Sequence, residues 1–527
     1  MLVLDEQRHF GIQPNQYILP LDKQNGAAFD PDNQADARRM VLRDRNRPCV
    51  FAWSLCNEPE CEFMNATVAL AAGKLYKDII LELDPTRPIT GAMIHFTWSG
   101  GAALGSVLDI QGFNYQDGVY DGFHLQHNST PMIATETHNG NEDRGEYDGY
   151  AGYLSSFDMG QEGWWKDQVG YDKPGWTVGN DLRPFQMGGF VWTGFDYKGE
   201  CHWPSVNSNF GTVDLAGFWK DRAYWYNAQW TTTPVLHVFP GWAPPPTRSN
   251  RGMPQACNTS RFDEICPPSP SDMQSCYSCC HEHEDKTHEL TKMGCVGPDV
   301  WQHHCSEGAG AGLIPKLAVF TNADMVECTI EPADGSAHTP LGQLVVPPLG
   351  DASYLSVNYT LGVLRCVGSY NDTLATAPIV RTLRTAGPAA ALRVSTEMGQ
   401  ISLRADGQDV ALIRVEVIDA AGLLVPSDRY HSSDLNHSVS FTVDGPGKII
   451  GVGNGDPHCH EPDKSTKRSA FHGLVRAIVQ SSGRGKSGAV TVHAIADGLL
   501  AGELKLNAAA LELKTDDDDT PPAESDI

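Results

Sequence analysis

The first 230 or so residues repeat one pattern. A short continuous apolar run is followed by a stretch of helical periodicity, and then another apolar run begins. "MLVLDE" opens the chain, and "CVFAWSLCNE", "PITGAMI", "VLDIQGFNY", "PMIATETH" and "MGGFVWTGFDY" follow. Between the first runs, "DPDNQADARRMVLRDRNRP" and "ATVALAAGKLYKDIILELDP" have amphipathic, capped helix patterns that stop at Pro48 and Pro85. Strands that are apolar throughout and alternate with helices belong to a parallel sheet covered on both faces. Each run ends in a polar or aromatic group, as in a (β/α) barrel, where chemistry sits at the C-terminal ends of the strands. Six strands are legible where a closed barrel has eight, so an incomplete TIM barrel is expected.

After Trp230 the pattern turns to β alternation with Gly and Asp turns, which predicts β-sandwich modules. The division expected is a catalytic barrel over residues 1–230 and a β-sandwich over 231–385, interrupted by an insertion at 246–312. A C-terminal immunoglobulin-like sandwich at 386–508 and an acidic disordered tail at 509–527 complete it. The fold class is thus α/β plus all-β, with an incomplete (β/α)8 TIM barrel before two immunoglobulin-like β-sandwich domains.

Seven of the 14 cysteines lie between Cys257 and Cys305, which predicts a disulfide-stapled segment. Three internal bridges would leave one thiol, with Cys328 as a candidate partner. Zinc is the rival, because Cys276, Cys279, Cys280, His281 and His283 are close together. With six Asn-x-Ser/Thr sequons (Asn65, Asn128, Asn258, Asn358, Asn371, Asn436), this leans towards a secreted or vacuolar/lysosomal setting. "MLVLDEQRHF" is too short and too soon charged for a signal peptide, and reads as a chain cut inside a strand. Net charge is −26, which disfavours nucleic acid and anionic membranes, and no apolar run is long enough to span a bilayer. A carbohydrate substrate fits better; a homo-oligomer is left open, and no cofactor is expected.

Two strand ends carry a glutamate: Glu58 in "SLCNEPE" and Glu136 in "IATETH". Two carboxylates at the mouth of one barrel are what glycoside hydrolysis requires, one to protonate the leaving oxygen and one to attack the anomeric carbon or activate water. Apolar neighbours would raise the pKa of Glu58 towards that of a general acid. Alone, Asn-Glu after a strand is more often a helix cap or surface turn. The tryptophans crowding this half (Trp98, Trp192, Trp203, Trp219, Trp225) are more often core than sugar platforms.

"RMVLRDRNRPCVFAWSLCNEPE" resembles the acid/base signature of glycoside hydrolase family 2, which contains β-galactosidases, β-glucuronidases and β-mannosidases. "GGFVWTGFDYKGECHWPSVNSNFGTVDLAGFWKDRAYWY" is similar to the segment that closes the barrel in that family, particularly in its β-galactosidase branch. The resemblance continues through "VRTLRTAGPAAALRV" into "GKIIGVGNGDPHCHEPDKSTKRSAFHGLVRAIVQ". It implies that Glu58 is the general acid/base and Glu136 the nucleophile of a retaining mechanism. It further implies that Asn57 binds the sugar 2-hydroxyl, that Tyr115 contacts the nucleophile and that Trp192 lines the sugar site.

There are departures. Arg47 stands where the family usually has a histidine that helps form the sugar site. The Cys-rich insertion is foreign to the pattern. "MLVLDEQRHFG" matches the family's third barrel strand, so the chain as given is expected to be inactive alone. No metal ligand set matches. The rivals are a non-catalytic carbohydrate-binding or relic protein, and a β-mannosidase or β-glucuronidase type of hydrolase. The last is disfavoured because the family's Asn-Lys-Lys/Arg carboxylate-binding motif is not evident.

Overall fold

The computed structural model describes residues 2–7, 29–58, 62, 64–137, 142–145, 185–201, 205–239, 316–346, 353–356, 361–371, 377–425, 437–483 and 485–509. The Cys-rich insertion and the acidic tail lie outside the described residues. The chain divides into two compact units, Met1–Gly140 with Gln161–Gly194, and Asn141–Gly160 with Phe195–Ile527.

The first unit is built on a six-stranded sheet whose spatial order is its chain order. The strands are β1 (Val3–Glu6), β2 (Val50–Asn57), β3 (Ile89–Met93), β4 (Gln111–Asn114), β5 (Met132–Thr137) and β6 (Gln186–Val191). All neighbours pair in parallel. A doubly wound sheet reverses its order at a switch point, whereas here the order never reverses, which is the wall of a (β/α) barrel. Helices α1 (Pro31–Asp44), α2 (Ala66–Leu83), α3 (Ser99–Gly105) and α4 (Tyr120–Gln126) fill the crossovers.

Local chemistry sets the helix boundaries. Asp30 caps α1 by accepting from the Asp32 N–H at 2.8 Å, with Pro31 in the first turn. Asn65 caps α2 by accepting from the Val68 N–H at 3.0 Å. Ala69, Ala72, Gly73, Tyr76, Ile79 and Ile80 form the buried stripe of α2. Trp53 and Leu55 of β2 pack with this stripe, while Ala52 faces a second cluster with Ile110 and Ile133. Both faces of β2 are therefore buried, as its unbroken apolar run requires. Asp84 ends α2 and accepts from the Trp53 indole at 3.0 Å and the Arg87 guanidinium at 2.5 Å. Burial opposes its charge, but the hydrogen bonds from Thr86 and Arg87 hold it down to about 2.

The second unit holds helix α5 (Asp221–Trp230) and strands β7 (Leu236–Phe239), β8 (Lys316–Thr321), β9 (Met325–Pro332), β10 (Thr339–Val345), β11 (Ser353–Ser356), β12 (Gly362–Ser369), β13 (Ile379–Arg384), β14 (Ala389–Thr396), β15 (Ser402–Arg404), β16 (Val410–Asp419), β17 (Ser438–Asp444), β18 (Gly447–Gly453), β19 (Lys467–Ser469), β20 (Leu474–Ser481), β21 (Gly488–Ile495) and β22 (Gly502–Ala509). Sheets β10-β9-β12-β13 and β11-β8-β7 share one core, around Leu236, Val319, Val326 and Leu364. Sheets β14-β16-β20-β18 and β15-β22-β21-β17-β19 share another, around Ile413, Val415, Val475 and Val492. In the first, Cys328 on β9 (Met325–Pro332) and Cys366 on β12 (Gly362–Ser369) stand directly opposite one another and form a disulfide. Cys328 is thus no partner for a thiol of the Cys-rich segment, because the register of two adjacent strands already gives it one.

Candidate active site

The C-terminal ends of the parallel strands gather the chemistry of the first unit. Asn57 is the last residue of β2, and Glu58 follows it with its N–H bonded to the Ala92 carbonyl of β3 at 2.7 Å. Tyr115 follows β4, and its N–H donates to the Glu136 carbonyl at 3.0 Å. Glu58 and Tyr115 are both left-handed, with φ of 48° and 54°. That conformation costs an L-residue about 1–2 kcal/mol and turns the chain sharply off the strand end. Glu136 lies near the end of β5, and Trp192 comes just after β6, its N–H bonded to the Thr137 carbonyl at 2.7 Å. The five residues singled out in the sequence thus all stand at one end of the sheet.

The side chains organise further. The Tyr115 hydroxyl donates to Glu136 Oε2 at 2.8 Å. Burial, and then the charge of Glu58, push the Glu136 carboxyl up to about 8; hydrogen bonds from Tyr115 and Asn114 oppose the rise. The carboxylate of Glu6, on β1, adds to the repulsion and is held by the Ser54 hydroxyl at 2.7 Å. Three carboxylates on three strands therefore face one region, and the field of each raises the cost of ionising the next.

Sequence reasoning missed Asn114. It is fully buried, and its Nδ2 donates to Asn57 Oδ1 and to Glu58 Oε1, each at 3.0 Å. Its Oδ1 accepts from the Thr135 hydroxyl at 2.6 Å. The available signal was its place beside Tyr115 at the end of an apolar strand.

Arg47 requires a correction. It lies in the turn before β2, with its side chain two-thirds exposed and 3.5 Å from Asp44. Residues 50–57 of β2 separate it from Glu58, and at about 3.3 Å per residue that is roughly 23 Å. It takes no part in the site, because it stands at the opposite end of the strand. Of the tryptophans, Trp53 and Trp225 are core, whereas Trp98 and Trp219 are 38% and 49% exposed. Trp98 stacks on His95 at 3.8 Å, just past β3. Among the described residues, no cluster of three or more His, Cys, Asp or Glu could hold a metal.

The family model described as "Glycosyl hydrolases family 2, TIM barrel domain" matches residues 4–211, and "Glycoside hydrolase family 2 C-terminal domain 5" matches residues 393–505. The chain belongs to glycoside hydrolase family 2. It is 26% identical over 529 residues to β-galactosidase BoGH2A of Bacteroides ovatus, an alignment covering 92% of this chain and 52% of that protein. It is 27% identical to a putative β-glucuronidase of Formosa agariphila, covering 89% of this chain and 40% of that one. The chain spans about half the length, or less, of these curated relatives. A family 2 structure from Bacteroides cellulosilyticus superposes with a TM-score of 0.63 at 21% identity, covering 97% of this chain and 55% of that one. A β-glycosidase structure from Bacteroides vulgatus gives 0.61 at 21% identity, covering 92% and 54%. These two likenesses support the fold.

Proposed function

We propose that this chain carries the catalytic carboxylates of a retaining β-glycosidase that hydrolyses terminal β-galactosides. The observation that carries the reading is the unequal treatment of two strand-end glutamates that feel each other's charge. Glu136 receives the Tyr115 hydroxyl and Glu58 receives the Asn114 amide. Repulsion between them favours one shared proton; in the free site burial holds it on Glu136, and it passes to Glu58 when the sugar binds and Glu136 attacks. In the first step Glu136 attacks the anomeric carbon while Glu58 gives its proton to the departing oxygen. In the second, Glu58 takes a proton from water, which displaces Glu136 from the sugar. Asn57 and Trp192 are assigned to the sugar's binding.

The galactoside preference draws on the sequence resemblance and on the Bacteroides ovatus relative. The Formosa agariphila relative motivates a second reading, a β-glucuronidase. Against it, the described charges around Glu136 are the carboxylates of Glu58 and Glu6, which repel a uronate. The two β modules are proposed to be immunoglobulin-like, and the disulfide and sequons fit a secreted or vacuolar setting. The test is incubation of a form with a completed eight-stranded barrel with a 2-deoxy-2-fluoro-β-galactoside and its glucuronide counterpart, followed by peptide mapping. The expected result is a galactosyl adduct on Glu136. An adduct on another carboxylate refutes the assignment, and labelling by the glucuronide alone selects the second reading.

A further inference from the structure

Asn114 sits where four groups of the site can be set by one amide. Its side chain reaches across the end of β3, linking β2 to β5. The orientation of that amide is forced. Glu58 can only accept when ionised, so the NH2 must face it, and the Thr135 hydroxyl is then left to donate to the oxygen. The amide hydrogens face Asn57 Oδ1 and Glu58 Oε1, each at 3.0 Å, and the same amide also acts on Glu136.

Two consequences follow from these hydrogen bonds. Glu58 Oε1 takes an amide hydrogen, which favours Oε2 over Oε1 as the seat of a proton. Asn57 Oδ1 is turned towards Asn114, which leaves its NH2 as the donor end. We propose that Asn114 is a positioning residue, held by Thr135, that fixes which oxygen of Glu58 delivers the proton and which end of the Asn57 amide meets the sugar. This rests on the retaining-glycosidase reading above. It adds that the Asn57 contact is donated to a sugar hydroxyl oxygen, and that acid and sugar contact are aligned by the same side chain. The hydrogen bond to Glu58 also favours its ionised form, which suits the base step that follows.

Among the described residues, the titratable groups at these strand ends include Glu6 on β1, Glu58 and Glu62 after β2, His95 beyond β3, Tyr115 after β4 and Glu136 on β5. Asn114 itself does not titrate, so its removal acts only through them. In Asn114→Ala the ionised form of Glu58 loses a donor, and the pH at which the acid is lost rises. The alkaline limb of the kcat/KM profile therefore moves up, by about one pH unit. Turnover falls about 10²-fold on glycosides with poor leaving groups and less on activated aryl glycosides, which need little protonation. Thr135→Val, which frees the amide to rotate, shifts the limb the same way to a lesser extent, and Thr135→Ser restores it.

The experiment compares these three variants with the unmodified protein, with circular dichroism as the check on folding and fluoroglycoside labelling of Glu136 as the check on chemistry. If Asn114→Ala does not fold, the Thr135 pair decides. A protein that labels at Glu136, but whose alkaline limb and leaving-group dependence are unmoved by the folded variants, overturns the role of Asn114 alone. An unmodified protein that never labels at Glu136 overturns the retaining reading, and this inference with it.

Discussion

Glu136 shows how a working carboxylate is carried at a cost to the fold. Its carboxyl is raised from 4.5 to about 8, by burial first and the charge of Glu58 second. Between those two pH values the folded chain holds a proton that the unfolded chain releases, so this group's contribution to stability falls as pH rises. Below about 4.5 both states are protonated and there is no penalty; above about 8 the penalty is complete. Glu136→Gln keeps an acceptor for the Tyr115 hydroxyl and removes the charge. It should abolish turnover by several orders of magnitude, since the covalent route is gone. At pH 8 it should also raise stability by on the order of 1 kcal/mol or more, a few degrees in Tm. Thermal melts at pH 8 and pH 4.5 check this, and a gain of equal size at both would refute the cause given. Glu58 and Glu136 stood out in the sequence as strand-end carboxylates against apolar runs, whereas Asn57 and Tyr115 were singled out only through the family resemblance. Asn114 was not, because its importance depends on Thr135 and Asn57, which only the sheet brings together. The left-handed backbone at Glu58 and Tyr115 left no sign either, since neither position is a glycine.

The long helices were legible in the sequence and the short ones were not. Helices α1 and α2 carry caps and a full apolar stripe, whereas α3 is "SGGAALG", seven residues whose glycines argue for a loop. The glycines are there for contact rather than propensity. A Cβ on Gly100 would lie 2.2 Å from the Met64 carbonyl oxygen and 2.4 Å from that of Glu62. Buried Glu62 in turn accepts from the His95 N–H at 2.6 Å, so α3 and the chain leaving Glu58 brace one another. Gly100→Ala must push this backbone aside, at a cost of about 1–3 kcal/mol. It should lower the Tm and reduce turnover, although it touches no candidate catalytic group; a variant with unchanged melting would show that the brace yields freely. Strands β9 and β12 are pinned by the Cys328–Cys366 bond, whose cysteines lie 38 positions apart in sequence. Replacing both by alanine should cost roughly 2–4 kcal/mol, visible as a lower midpoint in denaturant, and dithiothreitol should then have less effect on the variant than on the parent.

Across the chain, the second unit joins distant segments through buried charges that no periodicity announces. Arg144 pairs with Asp214 at 2.7 Å and donates to the carbonyls of Asn454 and Phe471, more than 300 positions away. Arg222 and Glu142 are both fully buried at 3.5 Å. Lys220 and Asp196 are each 1% exposed and lie 2.6 Å apart. The sequence showed two β modules through their alternation, but a lone Lys or Asp in a loop reads as solvated until its partner is placed. In the Lys220–Asp196 pair, desolvation outweighs attraction: burial pushes Asp196 up to about 7 even with the ammonium beside it. Lys220→Met removes the attraction and leaves the desolvation, so the folded Asp196 must hold its proton to still higher pH. The unfolded chain gives that proton up near 3.8, and stability then falls with rising pH by up to about 1.4 kcal/mol per unit. Relative to the parent, Lys220→Met should therefore lose more stability at pH 8 than at pH 5, by about 1.4 kcal/mol for the one unit above the parent's value of about 7. Adding Asp196→Asn removes the titrating group, so the double variant should regain stability at pH 8 and lose the extra pH dependence. Urea midpoints of both variants at the two pH values test this. An equal loss in Lys220→Met at pH 5 and pH 8 would mean that Asp196 stays ionised without its lysine, and that packing around Lys220, not charge, holds these segments together.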